Sequence, residues 1–475
     1  MASQWQPLKD IAASVNSAEV SAASLVETAL RTIEEKQEYK AIISLTAERA
    51  RDRAKQIDSE VAKGENSGKL AGVPFIAKDN FLVFGAETTA ASNMLKGFNA
   101  PYQATAIERL EAEGAICVAK ANLDAFAHGT STENSDFFTT LNPHDKTRVP
   151  GGSSGGSAAA VVLDMAPFAL GTDTGGSIRQ PASFSGCVGL KPTYGLVSRS
   201  GVVAMASSTD VIGPLTRSVE DAALVLDVIS GQDKLDSTTI IPQTGYADLS
   251  GNLKGARVGL IKEYMEEGLQ ADVRESIEEA TKKLKAAGAE IVEVSLPSVS
   301  LALAVYYIIC PAEVSSNLAR YDGQRYGYHQ HEATTLDDSY LGSRGEGFGK
   351  EAKRRIIIGT YVLSSGYYDA YYKRAQIVRT KLIEEFEAAF NKVDFLIGPV
   401  APTTAFKIGE NIGDPLKMYL CDIMTVAANM VGNPAISIPA GMAGGLPVGL
   451  QIMTPRQQDK ELLAFASEAE KVLSS

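Results

Sequence analysis

Two hydrophobic periodicities alternate along the chain. Residues 21–36 and 44–63 place apolar side chains at helical spacing, with charges on the opposite side. "GVPFIAKDN" is a short unbroken apolar run and predicts a buried strand that ends at Lys78. Residues 105–114 return to helical spacing and "AICVAKA" to a strand. Residues 157–165 predict a helix and "FALGTDT" a second buried strand. The alternation continues through a helix over 218–230, the strand "ARVGLI", a helix over 271–288 and the strand "EIVEVSL". From 300 to about 393 the pattern is mostly helical and rich in Tyr. "DFLIGP", "PAISIPA" and "LPVGLQIM" then predict strands before a closing helix over 459–474. Such alternation predicts an α/β fold with a central mixed β-sheet, helices on both faces and a mostly helical insertion over one end.

This organisation reads as a single large domain over 1–475. It has an N-terminal helical segment to about 65, a catalytic core over about 66–230, the insertion over about 300–393, and C-terminal strands and a helix over about 394–475. A chain of 475 residues can build one large core. No run of about 18 apolar residues is evident, so no membrane span is expected, and the first residues lack the apolar stretch of a signal peptide. Net charge is −12, which argues against a chain that grips a phosphate backbone unaided. The cysteines at 117, 187, 310 and 421 stand singly, which suggests neither a zinc cage nor a redox pair and fits ordinary thiols in a reducing cytoplasm.

Two Gly/Ser clusters frame the helix and strand of 157–173: "PGGSSGG" and "TDTGGSIRQP". A flexible linker would join polar, exposed sequence, but the first cluster runs straight into "SAAAVV" and the second directly follows an apolar strand. Strand, Gly-rich turn and Ser together expose backbone N–H groups to a reacting oxygen. No phosphate-loop motif is present. A serine nucleophile needs a base, and neither His128, His144, His329 nor His331 has an Asp partner by motif; each reads as a surface or satisfied structural residue. Lys78 is the better base, because a lysine at the end of an apolar strand loses solvation and with it its proton.

These motifs carry a resemblance. "AGVPFIAKDN", "PGGSSGGSAAA" and "GTDTGGSIRQPASFSGCVGLKPTYG" resemble the amidase signature family of Ser–cis-Ser–Lys hydrolases. "STENSDF", "GFGKEAKRRIIIGTYVLSSGYYDAYYKRAQ" and "DPLKMYLCDIMTVAANMVGNPAISIPAG" are similar to the glutamine-hydrolysing amidotransferase branch of that family. The resemblance implies Ser177 as nucleophile, Ser153 as the bridging serine after a cis peptide bond, and Lys78 as base. It further implies an oxyanion hole from the backbone N–H groups of Thr174, Gly175, Gly176 and Ser177. For free glutamine it implies Arg355 at the α-carboxylate, with Arg354 the less favoured choice, and Asp422 at the ammonium. Tyr306 or Tyr307 and Ser131, in the loop 130–134, would line the pocket.

Asp173 and Arg179 are expected to orient the nucleophile loop. No cofactor is implied in this chain. ATP and Mg²⁺ would act through a partner, the assembly being a heterotrimer with the B and C subunits of the amidotransferase, in the cytoplasm and away from membranes. Misacylated tRNA would be contacted mainly through the partner. The sequence departs from that branch at Ala125, where Glu is usual, and at His128, where Met is usual; Leu196 and Ser200 also differ from its commoner residues.

Overall fold

The computed structural model describes residues 3–266 and 268–474. Its described residues form one mixed sheet of eleven strands. In chain order these are β1 (Ile42–Leu45), β2 (Pro74–Lys78), β3 (Ile116–Ala121), β4 (Phe168–Asp173), β5 (Val188–Lys191), β6 (Val211–Thr216), β7 (Arg257–Ile261), β8 (Glu290–Val294), β9 (Phe395–Pro399), β10 (Ala435–Ala443) and β11 (Leu446–Met453). Their spatial order is β1-β3-β2-β4-β6-β5-β10-β11-β9-β7-β8. β2 runs parallel to β3 and β4, and β7 parallel to β8 and β9, while the other pairs are antiparallel.

Every residue of β2, β3, β4, β5 and β6 is buried. A strand covered on both faces needs an unbroken apolar run, which is why "PFIAK" and "FALGTD" lack polar alternation. Lys78 and Lys120 lie in this buried sheet at 0% exposure and therefore need partners. Lys120 pairs with Asp79 at 2.6 Å, both side chains fully buried.

The helices follow the expected order with local differences. The predicted helix over 44–63 starts later, at Ala47, because Ile42–Leu45 pairs with β3 as an edge strand. That strand has only four residues, too few to show a period. β5 and β6 were not anticipated, since "VGLK" and "VIGPLT" carry Gly or Pro inside them. Leu8–Asn16, Arg179–Ser185, Pro415–Leu420 and Val426–Val431 are further helices beyond the periodic reading. Between 300 and 393 the chain forms the helices Ala302–Asn317, Leu336–Gly347, Lys350–Leu363 and Arg374–Phe390. Ala302–Asn317 packs on Lys350–Leu363, Arg374–Phe390 and Val426–Val431. The stretch Pro297–Arg320 is long and apolar enough to cross a membrane by length and composition, which the reading by apolar runs did not anticipate; half of its apolar window is buried inside the fold.

Candidate active site

The site is assembled where β2 and β4 end side by side. Lys78 closes β2, and Thr172 and Asp173 close the neighbouring β4. The chain then turns through Gly175 and Gly176 to Ser177 before the helix Arg179–Ser185. Gly176 has φ +140°, and a Cβ there would lie 2.2 Å from Thr425 Oγ1, so only glycine fits. The first Gly/Ser cluster arrives from the opposite direction and enters the helix Gly155–Val162. The Gly152–Ser153 peptide bond is cis. Ser154 N donates to Ser177 O at 3.1 Å, which ties the two serine segments together. A Cβ at Gly152 would meet Asp124 Oδ2 at 2.2 Å, so that loop also depends on glycine.

Lys78 Nζ lies 2.8 Å from Ser153 Oγ, 2.9 Å from Ser154 Oγ and 2.8 Å from Thr172 Oγ1. Burial lowers its pKa to about 7, against the opposing pull of Asp124, Asp173 and Asp210. Lysine and bridging serine are therefore in contact, with the amine near neutrality. Ser177 Oγ makes no hydrogen bond among the described residues, so it is not linked to Ser153 Oγ in this structure. Ser153 is fully buried while Ser177 is 7% exposed, which leaves Ser177 as the hydroxyl that substrate can reach.

Of the four backbone donors expected around the oxyanion, Gly176 N already donates to Asp173 Oδ1 at 2.9 Å. The N–H groups of Thr174, Gly175 and Ser177 take no partner among the described residues and remain available. Asp173 has a structural task. Its carboxylate also receives Ile178 N, Asn429 Nδ2, and Arg179 Nε and Nη2. Burial would raise its pKa, but Arg179 and these bonds bring it down to about 2. Arg179, fully buried, continues to Asn429, Gln451 and the Thr425 carbonyl. Asp173 and Arg179 thus clamp the nucleophile turn, as expected.

Arg355, Ser131 and Tyr307 line one cavity of about 210 Å³ together with Asp124, His128, Thr130, Glu351, Arg354 and Tyr419. Arg355 is 2% exposed, and its Nε donates to Glu351 Oε1 at 2.9 Å. Its guanidinium sits 5.5 Å from the Tyr307 ring centre and 5.8 Å from that of Tyr419. Arg354 points outward on the same helix, 43% exposed at its side chain and paired with Glu351. Of the two tyrosines, Tyr307 faces this cavity rather than Tyr306. Consecutive helix positions point about 100° apart, and Tyr306 instead covers the nucleophile turn: a Cβ on Gly175 would sit 2.8 Å from its Cζ.

Lys78, Ser153, Ser177 and Asp422 lie outside the lining of that cavity. Asp422 is nonetheless tied to the nucleophile turn. Thr425 Oγ1 donates to Gly175 O at 2.6 Å and lies 3.1 Å from Asp422 O. The Asp422 carboxylate takes no hydrogen bond among the described residues, and burial pushes its pKa well above the ordinary range.

Several contributors escaped the sequence reading. Ser154 and Thr172, which hold Lys78, sit inside the two motifs but have no signature of their own. Glu351 also escaped the reading, although its i, i+4 spacing to Arg355 is a signal that could have found it. His128 was expected to be superficial or satisfied and is neither: it is fully buried, and both ring nitrogens lack a partner among the described residues. His144 fits the expectation better, its Nε2 lying 2.8 Å from Ser185 O.

Comparison with known proteins places this geometry. Residues 24–463 match the amidase family. The A subunit of a glutamyl-tRNA(Gln) amidotransferase from Caldanaerobacter subterraneus subsp. tengcongensis is 54% identical over 456 residues, covering 95% of this chain and 93% of the relative. The crystal structure of the A subunit of a glutamyl-tRNA(Gln) amidotransferase from Thermotoga maritima superposes with a TM-score of 0.79 at 41% identity, covering 94% of this chain and 91% of that one. A native peptide amidase from Stenotrophomonas maltophilia gives 0.82 at 29% identity, covering 99% and 98%.

Proposed function

Starting from a chain that belongs to the amidase family, we propose that it is the glutaminase component of a glutamyl-tRNA(Gln) amidotransferase, hydrolysing glutamine through an acyl-enzyme on Ser177. The observation that carries the chemistry is the contact of a buried Lys78 with Ser153 Oγ at 2.8 Å, beside a glycine turn that presents Ser177. What carries the choice of substrate is similarity to the amidotransferase relatives, together with a buried Arg355 and an unpartnered Asp422 carboxylate near that turn.

The residues act as follows. Neutral Lys78 accepts the Ser153 hydroxyl proton while Ser154 and Thr172 hold its amine in place. Ser153 in turn takes the proton of Ser177, whose hydroxyl swings into the second link when substrate enters. Ser177 Oγ attacks the amide carbonyl, and the developing oxyanion falls on the free N–H groups of the 174–177 turn. The relay returns the proton to the leaving nitrogen, the C–N bond breaks and ammonia departs. Water, deprotonated by the same relay, then hydrolyses the ester to glutamate. Arg355 binds the α-carboxylate in two-pronged fashion. Asp422 receives the α-ammonium, whose charge stabilises the carboxylate form that burial disfavours.

The ammonia passes to partner proteins in a cytoplasmic heterotrimer, where ATP and Mg²⁺ activate the acid on Glu-tRNA(Gln). The decisive experiment purifies the full chain with its co-expressed partners and follows ammonia, glutamate and Gln-tRNA(Gln). Glutamine-dependent amidation that is lost in Ser177→Ala, yet restored by added ammonium, is the expected result. Ser177→Ala with intact glutamine-dependent amidation would overturn the assignment.

A further inference from the structure

His128 stands in an environment that a merely structural histidine does not occupy. The chain reaches it through two consecutive left-handed residues, Phe126 (φ 53°) and Ala127 (φ 62°). Its backbone is then held at both ends. His128 N donates to Ala125 O at 3.0 Å, and His128 O accepts from Asn134 Nδ2 at 2.7 Å. His128 is 0% exposed, yet neither ring nitrogen has a partner among the described residues. Buried polar side-chain atoms are as a rule hydrogen-bonded, and a neutral imidazole carries one donor and one acceptor. His128 also lines the cavity that holds Arg355, Ser131 and Tyr307.

We infer that His128 is a substrate-binding residue, its neutral ring donating a hydrogen bond to the α-carboxylate that Arg355 holds. This inference rests on the glutamine reading given above. Burial and the nearby Arg355 charge both disfavour a proton on the second nitrogen, so the ring is an uncharged donor. A carboxylate has two oxygens and about four acceptor sites. Arg355 spends its Nε on Glu351, which leaves its Nη groups for a two-pronged grip that fills one acceptor site on each oxygen and leaves the others open. A neutral donor on the neighbouring wall completes the set without adding a second buried charge. The carboxylate would then be read by a charged arm from the helix Lys350–Leu363 and an uncharged arm from the 125–134 loop.

The test compares His128→Met, which keeps bulk and removes the donor, with His128→Gln, which keeps a neutral donor, and with Arg355→Ala. The full chain is used with its co-expressed partners. The substrates are glutamine and 4-aminobutanamide, which is glutamine without its carboxylate. His128→Met should raise KM for glutamine about tenfold or more and leave kcat within about threefold. His128→Gln should recover most of that loss. Turnover of 4-aminobutanamide should not respond to either change. An unchanged glutamine KM in His128→Met, or equal losses on both substrates, overturns the inference. Arg355→Ala separates it from the broader reading. A raised KM there with a normal His128→Met sinks only the role of His128, whereas normal values in both sink glutamine recognition by this pocket. Ring-¹⁵N histidine spectra of Ser177→Ala supply a readout that needs no His128 variant to fold. Glutamine must shift one buried imidazole signal and 4-aminobutanamide must not; a spectrum indifferent to glutamine overturns the inference as well.

Discussion

The sheet side of the site and its helical cover treat polar groups in opposite ways. On the sheet side nearly everything is satisfied: Lys78 Nζ has three hydroxyl neighbours, the Asp173 carboxylate is saturated by backbone and side-chain donors, and Lys120 closes on Asp79. Among the exceptions in the described residues are Ser177 Oγ and the N–H groups of Thr174, Gly175 and Ser177, which the proposed reaction calls on. In the cover and the loop beside it, the Tyr307 hydroxyl and the His128 ring are unpartnered among the described residues, and the Asp422 carboxylate takes no hydrogen bond there. Unmet polar groups in an otherwise dense interior are tolerated where a ligand supplies the missing contacts. The comparison therefore separates a preorganised relay from a recognition surface, and the two should fail differently when mutated.

The largest effect belongs to the relay. Ser177→Ala and Lys78→Ala should each lower kcat for glutamine by at least about a thousandfold, because members of such a unit do not substitute for one another. Neither should change the affinity for glutamine much, since neither holds its charges. Equilibrium binding of glutamine to Ser177→Ala, measured by calorimetry, checks this. Lost binding together with lost turnover would merge the two regions into one. Changes in the cover come next. Arg355→Ala or Asp422→Asn should raise KM by about thirtyfold or more, as expected when one partner of a buried charge pair is removed. Both variants should retain turnover of a small neutral amide, and steady-state kinetics on the two substrates reads the contrast.

Acid should act on both regions, on the cover through the Asp422 carboxylate, whose pKa burial raises, and on the relay through Lys78. In the proposed relay Lys78 works as a neutral amine, and its pKa is lowered to about 7 by burial. A lysine with a lowered pKa gains its proton as pH falls through that value, and the protonated amine cannot accept from Ser153. Thus kcat/KM for a small neutral amide, which does not call on Asp422, should level off above about pH 8 and drop about tenfold from that plateau by about pH 6. A profile that stays level down to pH 5 would remove Lys78 from the role of base.

The two regions also differed in how far they could be read from residues alone. The relay was legible because its parts lie in contiguous motifs: a strand ending in Lys78 and two glycine-rich turns, each followed by its serine. Backbone geometry there is local, so spacing carries it. The cover was legible only where the resemblance supplied it. Asp422 is 67 positions beyond Arg355, and nothing in their spacing brings the two to one side of a sheet. Tyr306 and Tyr307 could not be ranked without the helix axis. The His128 ring looked ordinary because burial without partners is a property of packing, invisible in composition. β5 and β6 were missed for a related reason, since glycine and proline inside a strand resemble a turn until neighbouring strands are known.

The smallest predicted effect tests the cover most finely. Arg354 and Arg355 are adjacent and both pair with Glu351, so charge alone does not distinguish them. Exposure does: the side chain of Arg354 is 43% exposed and that of Arg355 only 3%. A solvated ion pair contributes about 0–1 kcal/mol, because water competes for both partners and two long side chains lose freedom. A buried guanidinium facing a ligand carboxylate has no such competitor. Removing Arg354 also leaves the Glu351–Arg355 contact in place, so the carboxylate-binding arm keeps its orientation. Arg354→Ala should therefore change KM for glutamine by less than about fivefold and kcat by less still. If instead Arg354→Ala were as damaging as Arg355→Ala, the pair would act as one cationic patch. Recognition of the carboxylate would then come from diffuse charge at the cavity mouth rather than from a single buried arm.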